Sequence, residues 1–229
     1  MPQAPEPDDS TRTALVRDGY DAIAERYLQL ASETSDAHPR RRQTAALLDR
    51  LAADASVVEL GCGAGVPVAA AVVSRGHRYI GVDISPRQVQ LACELVPGGT
   101  FIVGDALDQR FEANSFDAAL MLYAITHVPR RRWNSLARQI HTWLAPDGFF
   151  LVNVPQEGNS GWLEEDFLGF GTTNWTNAFG ASDCVDLLKR VGFEIVDART
   201  FADDEPDEPG WFWILARKLT SDSLLASSL

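Results

Sequence analysis

The sequence lacks several features that would place it in common protein classes. Its 229 residues contain no apolar run near the roughly 20 residues needed to span a bilayer. They also contain no basic region followed by an apolar one, so we expect no secretory signal. The three cysteines, Cys62, Cys93 and Cys184, are odd in number and have no metal-ligand spacing. They predict free thiols in a reducing, cytoplasmic compartment, and the four scattered histidines predict no metal site.

Positive charge is also scarce. Lys and Arg total 20 against 32 Asp and Glu, which gives a formal net charge of −12 and a pI near 4.7. This balance disfavours a nucleic-acid partner, which selects for basic surfaces, and an anionic membrane surface. The length and the 45% hydrophobic content suit one domain with a full core. No internal repeat or linker indicates a second domain.

The most informative motif is a glycine-rich stretch at residues 57–68. A short apolar run carries Glu59, and Gly61, Gly63 and Gly65 follow at alternate positions. The dinucleotide pattern G-x-G-x-x-G/A fails, because its third position falls on valine whether the count starts at Gly61 or at Gly63. The Gly-Lys-Ser/Thr of a P-loop is absent as well. A tight turn without a ligand remains the alternative interpretation.

This motif resembles motif I, E/D-x-G-x-G-x-G, of the class I S-adenosylmethionine (SAM) dependent methyltransferases. The resemblance implies that SAM is the cofactor and S-adenosylhomocysteine the product. It further implies that the three glycines let the amino-acid end of SAM lie against backbone, while Glu59 accepts from its ammonium.

A second acid, Asp83, ends the apolar segment 78–83. An acid at the tip of the second strand of a βαβ unit can accept from both ribose hydroxyls, and Asp83 matches the ribose-binding acid of the family. Ile84 and Gln88 follow where the family lines the adenine and ribose. The alternative is that Asp83 caps the next helix, although Ser85, just before Pro86, suits that position better.

A third acid, Asp105, follows the segment 100–104. In the family an acid here reaches the adenine amino group and the small residue beside it, here Ala106, donates to the ring. An ordinary Gly-Asp turn is the alternative. Leu122 matches the exit of the fourth strand and completes the predicted cofactor contacts.

Two further segments resemble the small-molecule members of the family. Residues 19–27 match an N-terminal helix that closes over SAM, and they place Tyr20 and Tyr27 near the sulfonium, where an aromatic face is favourable. The Tyr123-to-Pro129 segment brings Tyr123 to the acceptor pocket and makes His127 a candidate catalytic base. The tyrosines could instead be core residues on one helix face, and the structural interpretation of His127, as a residue that shapes the turn, is favoured.

Residues 156–180 are irregular and rich in Gly, Asn, Thr and aromatics. We interpret them as an insertion, or lid, over the active site. Four of its aromatic residues are predicted to line the acceptor pocket: Trp162, Phe167, Trp175 and Phe179. The alternative is that they only pack within the segment. The arginine triplets at 40–42 and 130–132 are interpreted as solvated helix starts or faces.

Alternating elements predict an α/β Rossmann-like fold with seven strands, mainly parallel, with helices on both faces and an antiparallel C-terminal hairpin. The predicted helices cover 13–30, 39–53, 67–75, 86–95, 130–143 and 181–190, and the strands cover 56–60, 78–83, 100–104, 116–122, 148–154, 193–201 and 210–217. The domain is predicted over 13–218, with a disordered segment at 1–12 and a flexible tail at 219–229.

The sequence therefore predicts a SAM-dependent methyltransferase that methylates an O, N or S atom of a small molecule, such as a secondary metabolite. A SAM-binding protein of the same fold that does not methylate, acting in a rearrangement or as a regulatory binder, is the alternative. The acceptor and the oligomeric state, monomer or homodimer, stay open.

Overall fold

Helices and strands alternate along the chain. The computed structural model describes residues 7–201 and 210–219. The helices are α1 (Asp9–Ser32), α2 (Pro39–Leu48), α3 (Val68–Ser74), α4 (Pro86–Leu95), α5 (Trp133–Trp143) and α6 (Ala181–Val191). The strands are β1 (Ser56–Leu60), β2 (Arg78–Asp83), β3 (Thr100–Val103), β4 (Phe116–Met121), β5 (Leu144–Val154), β6 (Asn159–Glu164), β7 (Asn174–Ala178), β8 (Phe193–Phe201) and β9 (Trp211–Lys218).

Seven strands form one sheet in the order β3-β2-β1-β4-β5-β9-β8. The first five pair in parallel, whereas β9 is antiparallel to both β5 and β8. The predicted fold class, a mainly parallel Rossmann-like sheet with an antiparallel C-terminal hairpin, is confirmed. The strand order reverses between β1 and β4, and open α/β sheets bind ligands at such a point.

The central strands are buried on both faces, which explains their continuous apolar sequences. On one face, β1 and β4 residues such as Val58 and Met121 pack with α5 and α6. On the other face, Val57 and Leu120 pack with α2 and α3. Helices on both sides leave the carboxyl ends of the strands as the place for a site.

The N-terminal boundary differs from the prediction. Helix α1 begins at Asp9 rather than at residue 13, because the Asp8 carboxylate accepts from the Thr11 backbone N–H at 2.9 Å and caps the helix. The disorder predicted for 1–12 therefore does not extend over 9–12, and residues 1–6 lie outside the described residues. Of the predicted tail, only Leu219 is described, and its N–H donates to the Gly192 carbonyl at 3.0 Å.

The segment 156–180 is more regular than predicted. Strands β6 and β7 pair as an antiparallel two-stranded sheet of their own. Within the first half of β5, Asp147 takes a φ of +62°, a left-handed conformation that glycine adopts more readily than other residues. Along the described part of the chain, no helix combines the length and apolarity needed to cross a membrane.

Candidate functional site

A cavity opens at the carboxyl ends of β1, β2 and β4, where the strand order reverses, and α1 lies along it. The structure brings most of the predicted cofactor residues to its walls. These are Tyr20, Tyr27, Gly61, Gly63, Asp83, Ile84, Asp105, Ala106 and Leu122, joined by the predicted acceptor residues Tyr123 and His127.

The glycine turn is tied to the tip of β2 through Asp83. The Gly63 N–H donates to one carboxylate oxygen of Asp83 at 2.8 Å, and the Ser85 N–H donates to the other at 2.9 Å. Ser85 in turn caps α4, as the sequence predicts. Burial raises the pKa of Asp83 to about 6, and the backbone hydrogen bonds partly oppose this shift. Each carboxylate oxygen still has a lone pair with which to accept from a ligand hydroxyl.

The three glycines of the motif have different neighbours. A Cβ on Gly63 would point between Gln88 Oε1 at 3.7 Å and Tyr27 at 3.9 Å, so this glycine keeps the cavity wall bare. A Cβ on Gly61 would lie 2.4 Å from the Ala124 side chain. Gly65 is not in the cavity wall, and its position packs against Phe101 at 3.3 Å, between α3 and β3.

Gln88 lies beside the glycine turn with an unused amide. It is 1% exposed, and neither its amide oxygen nor its amide nitrogen has a partner among the described residues. Buried polar atoms are normally hydrogen-bonded. The orphaned amide next to the bare Gly63 backbone therefore suits a polar ligand such as a ribose.

An adjoining smaller cavity contains Glu59. Its carboxylate accepts a hydrogen bond from the Tyr79 hydroxyl, and burial raises its pKa to about 8, against the opposing effects of Tyr79 and Arg40. A cationic ligand group beside Glu59 would favour the ionised carboxylate.

Arg40 is a site residue that the sequence reasoning missed. It was interpreted as solvated, yet its guanidinium lines the same small cavity, lies 4.4 Å from the centre of the Tyr123 ring and interacts with Tyr27 and Glu59. Its Nε is buried without a partner among the residues described. A signal was available, because a cation in the first turn of α2 opposes the helix dipole and so favours an anionic partner.

His127 lies in the cavity wall with both ring nitrogens engaged. Its Nδ1 donates to the Trp175 carbonyl at 2.8 Å, since a carbonyl can only accept. In the neutral ring Nε2 then accepts from the Tyr20 hydroxyl at 2.9 Å. Burial lowers the pKa of His127 to about 4, and the Arg12 charge acts in the same direction. The imidazole is therefore neutral at physiological pH.

The four predicted acceptor-pocket aromatics of the 156–180 segment do not line the cavity directly. Phe167 contacts its wall, edge-on to Tyr20 and to His127. Trp175 has a buried side chain, and only its carbonyl reaches His127. Phe179 instead stacks on Trp133, and Trp162 lies on β6 opposite Thr176.

Strand β7 is bound to the loop after β4. The Asn177 side-chain amide donates to the carbonyls of Thr126 at 3.1 Å and Val128 at 2.7 Å. Together with the bond from His127 to Trp175, these contacts make β7 a fixed wall beside the cavity. Sequence reasoning missed Asn177, because its partners lie about fifty residues away along the chain.

The arginines at 130–132 have acidic partners. Arg131 and Arg132 both contact the Asp9 carboxylate, at 2.6 and 2.5 Å, and Arg130 lies 3.3 Å from Asp183. Asp9 is in the first turn of α1, so these pairs join the start of that helix to the loop after β4. The triplet is exposed to partly exposed, as the sequence predicts, and its charges are paired with acids.

Comparisons with known proteins agree with this geometry. Residues 57–148 match the family model described as a methyltransferase domain. The chain therefore contains a segment similar to the methyltransferase domain, which agrees with its Rossmann-like sheet. The match covers the glycine turn and the strand ends that carry Asp83 and Asp105. Within the described residues, no group of three His, Cys, Asp or Glu side chains could hold a metal ion.

Curated proteins similar to this chain include sterol 24-C-methyltransferase erg-4 of Neurospora crassa, which is 26% identical over 182 residues. That alignment covers 72% of this chain and 46% of the relative, so the chain spans about half the length of such curated relatives.

Solved structures show the same fold. One is the Burkholderia thailandensis 1,6-didemethyltoxoflavin-N1-methyltransferase, with a TM-score of 0.73, 22% identity and coverage of 95% of this chain and 93% of that one. Another is the [4+2]-cyclase SpnF, with a TM-score of 0.69, 18% identity and coverage of 96% and 100%.

Proposed function

We propose that this protein transfers the methyl group of SAM to a nucleophilic atom of a small molecule. The observation that carries the proposal is the convergence, on two adjoining cavities, of the residues suited to each part of SAM. The relatives named above support it, since the Neurospora protein methylates a sterol and the Burkholderia protein a toxoflavin precursor, both small molecules.

The donor set fits SAM along the length of the cleft. Asp83 and the orphaned amide of Gln88 suit the ribose, and Asp105 suits the adenine amine. Arg40 and Glu59, side by side in the smaller cavity, suit the carboxylate and the ammonium of the amino-acid end. When bound, SAM supplies a methyl group already activated by its sulfonium charge.

Aromatic rings close the region beside the expected methyl position. Tyr20 packs edge-on against Tyr27 and His127, each with ring centres 5.3 Å apart, and against Phe167 at 5.5 Å. Such rings exclude water and favour a cationic group by their electron-rich faces. Alignment and water exclusion are then the main contributions of the protein.

The bonding of His127 argues against its use as a general base. A group with a pKa of about 4 and with Nε2 already accepting from Tyr20 is a poor proton acceptor at neutral pH. We therefore propose that His127 positions the Tyr20 hydroxyl. The acceptor atom should accordingly need no strong base, as with an amine, a thiolate or an acidic hydroxyl.

The second candidate is a SAM-binding protein that does not methylate. The [4+2]-cyclase SpnF has the same fold, so this fold also serves a cyclase. The two functions differ in their products, because methyl transfer converts SAM to S-adenosylhomocysteine and a rearrangement leaves SAM intact.

The test incubates the purified protein with SAM and pools of small molecules sorted by nucleophile: amines, thiols, phenols and carboxylic acids. Mass spectrometry follows S-adenosylhomocysteine and any product 14 mass units heavier than its acceptor. The proposal expects both to appear in equal amounts with one pool, and expects both to form about tenfold or more slowly with Asp83→Ala at a SAM concentration below the wild-type dissociation constant. Consumption of a pool member without S-adenosylhomocysteine would favour the rearrangement.

A further inference from the structure

A buried arginine at the start of α1 belongs to the cavity wall. Arg12 is 3% exposed and lines the cavity beside Asp105. Its Nη2 donates to the Asp105 carboxylate and to Thr13 Oγ1, and its Nη1 donates to the His127 carbonyl at 3.1 Å. Sequence reasoning missed Arg12, because it placed residues 1–12 outside the domain.

One donor of this guanidinium is unused. Arg12 Nε is buried, and it has no hydrogen-bond partner within the described parts of the chain. Leaving a buried donor unpaired is destabilising. A ligand that enters the cavity and brings an acceptor to Nε would therefore gain affinity.

The position of that donor follows from the shape of the side chain. The guanidinium is a rigid planar fork, and Nε and Nη2 lie along one edge of it. Nη2 is the atom that contacts Asp105. Asp105 keeps accepting capacity, because its Oδ1 receives only the Leu107 N–H, at 3.0 Å. Arg12 and Asp105 both line the cavity, and this pair has an unused donor at Nε and an unused lone pair at Oδ1.

Adenine carries the complementary pair. Its exocyclic amine is a donor, and N7 beside it is an acceptor. The family resemblance assigns the amine to Asp105 and a contact with the ring to Ala106. N7 adjoins the amine, so it is the adenine acceptor that lies on the side of Asp105 and of its partner Arg12. A negatively charged ligand group is a weaker candidate than a neutral one for the hydrogen bond with Arg12 Nε, because Asp105 already neutralises the guanidinium charge.

We propose that Arg12 is a specificity-determining residue that donates from Nε to N7 of the cofactor's adenine. This inference rests on the proposed function, in which SAM occupies this cleft. It assigns to α1 a direct part in selecting the base, beyond covering the site.

The test compares the binding of S-adenosylhomocysteine with that of its 7-deaza analogue, in which a C–H replaces N7. Isothermal titration calorimetry gives both dissociation constants for the wild-type protein, Arg12→Met and Arg12→Lys. The wild type should bind the 7-deaza analogue about tenfold or more weakly, as expected for one hydrogen bond to a charged donor. In both variants the two ligands should bind within about twofold of each other, because neither variant has a donor at the Nε position.

The result is expressed as the ratio of the two dissociation constants. A general loosening of α1 would weaken the binding of both ligands equally and would leave this ratio unchanged. Thr13→Val is the matched control. It removes another Asp105 contact at 3.1 Å but leaves Nε in place, so the tenfold preference should persist. Equal binding of the two ligands by the wild type, or a preference that survives in Arg12→Met, overturns the inference. If the wild type binds neither ligand, the proposed function itself fails.

Discussion

Replacing Glu59 by glutamine should have two opposite effects. It should stabilise the folded protein at high pH, and it should weaken ligand binding. Glu59 is 3% exposed at the end of β1, and burial raises its pKa to about 8. The ordinary value is 4.5. Because the folded protein holds this proton more tightly than the unfolded chain, the contribution to stability is largest below pH 4.5 and is lost as the pH rises through 8.

The size of the effect follows from that pKa difference. The free energy of unfolding should fall by up to about 1.4 kcal/mol per pH unit between pH 4.5 and 8. Glu59→Gln removes this titration, so the variant should become progressively more stable than the wild type as the pH rises from 5 to 8. Urea unfolding of both proteins at several pH values measures the difference. A difference that stays constant from pH 5.5 to 8 would refute the reasoning.

The same substitution should weaken binding. An ammonium beside Glu59 favours the ionised carboxylate, so ligand binding should release a proton from the wild type between pH 6.5 and 8. This range lies above the pKa of about 6 for Asp83. Calorimetry of S-adenosylhomocysteine binding in two buffers of different ionisation enthalpy counts that proton. Glu59→Gln should bind S-adenosylhomocysteine more weakly at pH 8 and should release no proton on binding. Equal proton release by the two proteins would contradict the pairing of Glu59 with the ligand ammonium.

Four further substitutions test other parts of the site. Gly63→Val should abolish SAM binding in calorimetry while the circular dichroism spectrum stays native, because its side chain enters the cleft from a backbone with φ of +53°. Asp83→Ala should weaken SAM binding tenfold or more by the loss of ribose hydrogen bonds at about 1.5–3 kcal/mol each, and unchanged affinity would reject the ribose role. Arg40→Met should weaken SAM tenfold or more but leave decarboxylated SAM unaffected, and equal losses for both ligands would reject the carboxylate role. Because the pKa of His127 is about 4, any step in wild-type turnover near pH 6.5 should persist in His127→Gln, and a step that disappears in this variant would restore its role as base.

The glycine turn and the acids at the strand ends could be predicted because their signals are local. Glu59, Asp83 and Asp105 lie at or just beyond the ends of short strands, and parallel strands bring such ends to one edge of the sheet. The mainly parallel sheet with helices on both faces followed from the alternation of strands and helices. These features depend on neighbours a few residues away, which a single sequence displays directly.

The rest of the site depends on distant contacts. Arg12 and Arg40 reach the cleft only because α1 and α2 fold back over the strand ends. The sequence around these arginines does not indicate that Arg12 lies near Asp105 or that Arg40 lies near Glu59. His127 is a comparable case. Its motif marks the loop, but the pairing with Trp175 depends on strand β7, whose irregular sequence predicted no strand.

The central claim is that this cleft binds SAM in one defined orientation. A crystal structure of the protein with S-adenosylhomocysteine tests it most directly. The account predicts the ribose hydroxyls on Asp83, the adenine amine on Asp105 and the carboxylate on Arg40. A ligand bound elsewhere, or in the cleft with its ribose out of reach of Asp83, would contradict it.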